Sequence, residues 1–177
     1  VQFLSGLEAE VDLLVNAREN SDDEWHARFA TPVCVLGIQT ESDWLDRIVF
    51  LPRSAGEQAP KSLMAEKVCE QLTRYLADPE FPFDVPARTV GTPHQRAVWA
   101  QMKALAPGST MTYGEVARRL GSSPRAVGQA CGANPIPVVV PCHRIVAREG
   151  IGGFAHRRDG FLLEIKQWLL SHERAKC

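Results

Sequence analysis

The chain has 177 residues, of which 45% are hydrophobic and 23% charged, and its mean hydropathy is −0.16. These values are typical of a soluble globular protein with one large or two small cores, and they argue against a disordered or membrane chain. The net charge of −1 is unevenly distributed, because residues 1–90 carry 8 Lys/Arg against 16 Asp/Glu and residues 91–158 carry 9 Lys/Arg against 2 Asp/Glu. The basic section 91–158 indicates a phosphate-binding surface. An ordinary solvated surface could have the same charge.

The first half of the sequence predicts a small α/β unit. Residues 4–18 carry apolar residues at helical spacing and predict an amphipathic helix, which we interpret as an N-terminal extension. Strands are expected at residues 33–39 and 44–51, joined by a polar turn, and a helix is expected at residues 61–77. The proline-rich stretch 79–90 is then an extended connector and our domain boundary, with room for one more strand.

The second half predicts mostly helices. A Thr92-Pro93 start favours a first helix that ends at Pro107-Gly108. The short helices 115–120 and 124–132 flank a Gly-Ser-Ser turn, which is the helix-turn-helix pattern. An apolar strand is expected at residues 138–140, and the last helix at 161–173. We therefore expect two domains, 1–90 and 91–177.

The cysteines give little sign of a structural role. They are five in number and widely spaced, without a Cys-x-x-Cys pair: Cys34, Cys69, Cys131, Cys142 and Cys177. This pattern argues against a disulfide framework and against a zinc site, and it favours a reducing cytoplasm or nucleoid. We expect no metal site.

The run Pro141-Cys142-His143-Arg144 is the candidate reactive centre. A cysteine attacks as its thiolate, and Cys142 is followed by a base and a fixed positive charge. His143 can reach the thiol only at a bend, which Pro141 favours, or through a water. Glu173 is a candidate third member that would orient the histidine. A buried, inert cysteine is the commoner outcome for such a pair.

The helix 124–132 has an unusual composition for a recognition helix. Ala126 and Gly128 make a small face, and only Arg125 and Gln129 are long polar side chains. Such a face suits the minor groove with little base reading, and Arg125 could enter the base stack. A tightly packed interior helix is the alternative. We expect these four residues, together with Tyr113 and with Arg144 of the basic section, to contact DNA.

Tyr113 and the loop at residues 152–155 complete the group. An aromatic hydroxyl beside a reactive thiol can protonate a leaving group. The paired glycines of the loop could form a mobile wall to a pocket that also includes Phe154 and Ala155. The alternatives are that Tyr113 only packs and that the glycines only form a turn.

These residues resemble the O6-alkylguanine-DNA alkyltransferases, the methylated-DNA–protein-cysteine methyltransferases. The resemblance covers most of residues 91–173 and is most specific around the Asn-Pro lead-in to Pro-Cys-His-Arg. It is carried by Gly91-Thr92-Pro93, Val98-Trp99, Thr112-Tyr113-Gly114-Glu115-Val116-Ala117, Arg125-Ala126-Val127-Gly128, the run 134–146 and Trp168-Leu169-Leu170-Ser171-His172-Glu173.

The resemblance implies a fold and a reaction. The fold is of the α/β (α+β) class, with a ribonuclease-H-like small antiparallel sheet and helices followed by a winged helix-turn-helix-like domain. The reaction is a suicidal repair in which a damaged guanine flips out through the minor groove of double-stranded DNA and its alkyl group passes irreversibly to Cys142. No cofactor is implied.

The resemblance also assigns roles to single residues. Arg125 would fill the gap in the base stack, and Tyr113 would help to rotate the nucleotide and protonate the leaving base. His143, with Glu173 behind it, would deprotonate Cys142 through a water. Asn134 would brace the turn before the nucleophile, while the main chain at Cys142 and Ile145 and the loop at Ala155 would contact the base edge.

The sequence departs from the family's pattern at three places. Phe154 replaces a common tyrosine of the pocket wall, the segment 156–160 is longer than usual, and His94 stands where an aromatic residue, usually Phe, is common. The first two departures bear on the accepted alkyl groups, and the sequence also leaves O4-alkylthymine open.

Three rival functions are weighed against repair. A non-catalytic lesion-binding protein would lack Cys142, a winged-helix regulator would need more base-reading side chains, and a cysteine hydrolase would have no use for the DNA features. We expect a cytoplasmic, bacterial-type nucleoid-associated monomer without a membrane, and cooperative binding along DNA stays open.

Overall fold

The structure, a computed structural model, describes residues 25–153 and 160–174. Its first half contains an antiparallel sheet in the order β1-β2-β3, formed by β1 (Ala27–Ala30), β2 (Val35–Glu41) and β3 (Trp44–Leu51). The central strand β2 is buried over all but its last residue. The two predicted strands are confirmed, but β2 starts later than expected because Thr31 Oγ1 accepts a hydrogen bond from the Cys34 amide (3.0 Å) and holds a turn there.

Helix α1 (Leu63–Ala77) lies against this sheet. It begins after Ser62, whose side chain accepts a hydrogen bond from the Ala65 amide, and this N-cap explains the start two residues beyond the predicted one. The helix buries Val68, Leu72 and Tyr75. The helix predicted at residues 61–77 is therefore confirmed with a shorter first turn.

The second half is mostly helical, as predicted. Thr92 and Thr112 start α2 and α3 with capping boxes, and Gly121 ends α3 in the left-handed conformation (φ 59°) that glycine favours. The elements are α2 (Pro93–Lys103), β4 (Met111–Thr112), α3 (Tyr113–Leu120), α4 (Pro124–Gly132), β5 (Ile145–Val146) and α5 (Phe161–Arg174). The short strands β4 and β5, which pair in parallel, were not predicted.

The strand predicted at residues 138–140 is wrong. Val138 has a φ of 73°, which an extended strand does not allow. The segment instead folds into a tight turn in which the Val140 amide donates to the carbonyl of Ile136 (2.9 Å). Prolines on both sides of Ile136 shape this turn, and the apolar residues are buried by compact packing rather than by a sheet.

The main hydrophobic core contains residues from both sides of position 90, including Leu36 and Leu72 from the first half and Val98 and Ile165 from the second. A backbone hydrogen bond from the Ile48 amide to the carbonyl of Pro135 (2.9 Å) also joins the halves. The helix expected at 4–18 lies outside the described residues. None of the described helices has the length and apolar character that crossing a membrane requires.

Candidate active site

Cys142 lies in a single turn of 3-10 helix, Cys142–Arg144, directly after Pro141. This is the bend that the sequence predicted. The cysteine is 6% exposed and its amide donates to the carbonyl of Val140 (2.8 Å). Because the turn breaks the alternation of an extended chain, the nucleophile and the following histidine can serve one site.

Asn134 lies beside the turn that leads to the cysteine and hydrogen-bonds its backbone. Its Nδ2 donates to the carbonyl of Val140 (2.8 Å), and its Oδ1 accepts from the amide of Ile136 (3.1 Å). Burial raises the pKa of the Cys142 thiol, and the influence of the Asn134 side chain and the charge of Lys166 oppose the rise.

His143 is completely buried, and its Nε2 donates to Glu173 Oε1 at 2.7 Å. The predicted pairing with the last helix is therefore present. Burial lowers the pKa of His143, although the hydrogen bond and charge of Glu173 act in the opposite direction. Within residues 25–153 and 160–174, its Nδ1 has no hydrogen-bond partner. A neutral histidine with Nε2 protonated leaves Nδ1 as a lone-pair base.

The Glu173 carboxylate is 2% exposed and lies among several donors. Arg144 Nε donates to Oε2 (2.9 Å) and Nη2 to Oε1 (2.8 Å). The Tyr75 hydroxyl donates to Oε1 (2.9 Å), and the Gly108 amide donates to Oε2 (3.3 Å). Burial would raise the pKa of Glu173, but the hydrogen bonds and charges of His143 and Arg144 hold it well below its usual range.

Arg144 requires a correction to the expected DNA contacts. Its side chain is buried, and Nη1 donates to the carbonyl of Leu105 (2.5 Å) while the rest of the guanidinium engages Glu173. Because this fork points into the protein, Arg144 orients the carboxylate instead of a phosphate.

Tyr113 lies between α4 and the loop that precedes α5. Its hydroxyl donates to the carbonyl of Gly153 (3.1 Å), and a Cβ at Gly128 would lie 3.9 Å from its ring. A Cβ at Gly152 would lie 3.1 Å from the same ring, and that glycine has a φ of +71°. Gly152 is thus needed for both its conformation and its close approach. The predicted wall residues Phe154 and Ala155 lie outside the described residues.

Lys166 is a site residue that the sequence reasoning missed. Although fully buried, its Nζ donates to the carbonyls of Ile145 (2.7 Å) and Gly153 (2.8 Å) and lies 5.7 Å from the centre of the Tyr113 ring. Burial lowers its pKa to about 8, against the opposing influence of Cys142 and Cys131. The sequence did contain a signal for Lys166, because this lysine follows Ile165 on the apolar side of the last helix. A charge buried at such a position is stable only with polar partners.

The predicted DNA-binding helix presents its polar residues outward. Arg125 and Gln129 are exposed, while Ala126 and Gly128 are half-buried. An open groove runs beside the helix start, between Tyr113, Pro124 and the exposed Arg118 and Arg148. These two arginines belong to the basic section, but their charge alone could not place them at the groove.

The chain is similar in sequence to proteins of one known family. Residues 93–175 match the family model described as 6-O-methylguanine DNA methyltransferase, DNA binding domain. A methylated-DNA–protein-cysteine methyltransferase of Methanosarcina acetivorans is 32% identical over 157 residues, covering 84% of this chain and 97% of the relative. The chain belongs to the methylated-DNA–protein-cysteine methyltransferase family. The constitutive methylated-DNA–protein-cysteine methyltransferase of Bacillus subtilis is 33% identical, covering 76% of this chain and 79% of that protein.

The fold agrees with that of solved family members. The crystal structure of Mycobacterium tuberculosis OGT in complex with DNA has a TM-score of 0.71 and 28% identity, covering 85% of this chain and 93% of that one. The resemblance to the methylated-DNA–protein-cysteine methyltransferases and the mixed α/β fold with a small antiparallel sheet are therefore confirmed.

Proposed function

We propose that this chain repairs O6-alkylguanine in double-stranded DNA by one irreversible transfer of the alkyl group to Cys142. As a member of its family, the chain is a DNA-binding methyltransferase that repairs alkylated DNA by transfer to a protein cysteine. The observation that carries the assignment to Cys142 is its place in a buried turn between Asn134 and the His143–Glu173 pair.

Cys142, His143 and Glu173 form a proton relay in which each group has one role. His143 Nδ1 accepts the thiol proton of Cys142 through a water, and Glu173 stabilises the imidazolium that forms. The thiolate then attacks the alkyl carbon in line, forming the C–S bond as the C–O6 bond breaks. Tyr113 donates its proton to the departing base, so guanine leaves neutral, and the stable thioether consumes the protein.

The DNA is held through the minor groove. The half-buried Ala126 and Gly128 let α4 approach closely, and the exposed Arg125 fills the space of the flipped nucleotide. Exposed arginines of the groove, such as Arg118 and Arg148, neutralise nearby phosphates. The main chain at Cys142 and Ile145 and the loop at Ala155 contact the base edge.

The remaining expectations belong to the same proposal. The first domain, residues 1–90, has a ribonuclease-H-like arrangement, and the second, residues 91–177, is a winged helix-turn-helix-like domain. The protein acts as a monomer in the cytoplasm, on nucleoid DNA. The small sheet that packs against α1 and the contact between α3 and α4 support the two fold assignments.

The direct test is intact-mass measurement after incubation with duplex DNA that carries a single O6-methylguanine. We expect the mass of one methyl group per protein, located on Cys142 by peptide mapping, and no further turnover with excess DNA. An unmodified protein beside repaired or unrepaired DNA would contradict the proposal.

Replacing Arg125 with Ala should slow repair of duplex DNA by about tenfold to a hundredfold, the scale of the stacking energy that stabilises a displaced base. Single-turnover rates at subsaturating duplex measure the loss. Arg119→Ala, which removes an equal charge from the exposed face of α3, is the matched control and should cost far less. The difference between the variants should disappear on single-stranded substrate, and equal slowing there would contradict the role of Arg125 in base flipping.

A further inference from the structure

Tyr75 connects the first half of the chain to the reactive centre. It lies on α1, is 2% exposed, and donates its hydroxyl proton to Glu173 Oε1, 98 residues away, at 2.9 Å. Its carbonyl accepts a hydrogen bond from His172 Nε2 (2.9 Å), and its ring packs edge-on against the same histidine with centroids 5.2 Å apart. The C-terminal part of α1 is thus attached to two consecutive residues of α5.

The hydroxyl reaches the oxygen that the relay uses. Glu173 Oε1 accepts from His143 Nε2 at 2.7 Å, from Arg144 Nη2 at 2.8 Å and from Tyr75 at 2.9 Å. Each additional donor withdraws electron density from a carboxylate oxygen and weakens it as a partner for the others. Tyr75 therefore shares with His143 the acceptor on which the basicity of the imidazole depends.

Tyr75 is a permanent donor in this position. Burial, followed by the charge of Glu173 and the hydrogen bond to it, raises the pKa of the phenol far above its usual value, so the hydroxyl keeps its proton at all working pH values. The other charged groups that act on His143 are Glu173 and Lys166 from α5 and Arg144 from the same turn. Among these groups and Tyr75, only the tyrosine comes from the first half of the chain.

We propose that Tyr75 is a positioning residue for alkyl transfer. Its hydroxyl sets the orientation and the acceptor strength of the Glu173 carboxylate toward His143, and it makes the docking of α1 part of the proton relay. The proposal rests on the proposed roles of His143 and Glu173. It gives the first half a chemical contribution to the reaction in addition to its contribution to folding.

Tyr75→Phe tests this role because it keeps the ring and the carbonyl and removes the hydroxyl. We expect the plateau rate of single-turnover methyl transfer from an O6-methylguanine duplex to fall by about tenfold, a scale seen when an outer partner of a reacting group is removed. The acid limb of the pH–rate profile should move to higher pH, since a less neutralised Glu173 makes His143 more basic. DNA affinity should stay within about twofold, since Tyr75 is buried and lies on α1 rather than on the DNA-binding helix.

Phe83→Leu is the matched control. Phe83 packs against the Tyr75 ring with centroids 5.4 Å apart, so the variant loosens the same contact while the hydroxyl remains. We expect a lower Tm for Phe83→Leu but an unchanged acid limb and a nearly unchanged rate below its melting transition.

The outcomes separate the possibilities. A wild-type rate and acid limb in Tyr75→Phe would overturn the proposal, and so would equal slowing of both variants without movement of the limb, which indicates a structural role alone. Absence of methyl on Cys142 in the wild-type protein would contradict the proposed function itself and, with it, this inference. Slower transfer with a displaced limb in Tyr75→Phe alone supports it.

Discussion

Replacing Cys142 with Ser is expected to abolish methyl transfer while the protein stays folded and binds duplex DNA. Serine has nearly the same size as cysteine, so the buried turn is kept, but its hydroxyl is far less acidic and far less nucleophilic than a thiol. Intact-mass spectra after incubation with an O6-methylguanine duplex should show the unmodified variant, and a binding titration should show an affinity within about threefold of wild type.

Cys131→Ala is the matched control for this substitution. Cys131 is a second buried thiol, and its pKa is raised by burial and by the electrostatic influence of Cys142, while Lys166 opposes the rise. Without a histidine partner such as His143 it should not accept the alkyl group, so Cys131→Ala should gain one methyl as the wild type does. A methyl group found on the Cys142→Ser protein would contradict the assignment of the nucleophile.

Replacing Glu173 with Ala should be the most destabilising single change near the site. It leaves Arg144 as a buried charge without its carboxylate and removes the acceptor of His143 and Tyr75. Breaking a buried ion pair from one side typically costs about 3–5 kcal/mol of unfolding free energy. Urea denaturation at neutral pH measures this loss, and methyl transfer by the remaining folded protein should be at least about a hundredfold slower.

The lowered pKa of Glu173 determines how the stability lost in Glu173→Ala changes with pH. Because the pKa of Glu173 is lowered in the folded protein, its contribution is complete above the unfolded-state pKa of a glutamate and is lost as the pH falls toward the folded-state pKa. The stability difference between wild type and Glu173→Ala should therefore be largest at neutral pH and shrink in acid. Glu70→Gln, which removes an exposed i,i+4 ion pair with Arg74, should change stability by less than about 0.5 kcal/mol. An equally small loss of stability in Glu173→Ala would contradict a stabilising role of the ion pair and hydrogen bonds around Glu173.

Local signals accounted for most of the predicted elements. Thr92 and Ser123 mark helix starts because their side chains satisfy amides of the first turn, and Gly121 marks an end because its φ is positive. The cap at Thr112 was not recognised, and α3 therefore starts at Tyr113 instead of the predicted residue 115. Strand β1 was missed because four residues are too few to show an alternating pattern. The turn at Val138 was read as a strand because apolar residues between prolines fit either structure.

The site was predictable where neighbours in sequence carry the chemistry. Cys142 and His143 are adjacent, and a bend after Pro141 was enough to bring them into one turn. Tyr75 and Lys166 could not be placed in this way. Their roles depend on contacts across many residues, and both lie among apolar residues that look like ordinary core positions. Only the packing of α1 and α5 shows that their polar ends meet the site.

Burial of Cys142 protects the thiol of a protein that reacts only once. An exposed thiolate would be lost to peroxides and to other electrophiles before it met damaged DNA. A thiol that is 6% exposed and has a raised pKa is kept neutral, and therefore inert, in the resting protein. The thiol then becomes reactive when the alkylated guanine enters the pocket beside His143. The burial that slows its reaction with other electrophiles therefore also preserves the thiol for its substrate.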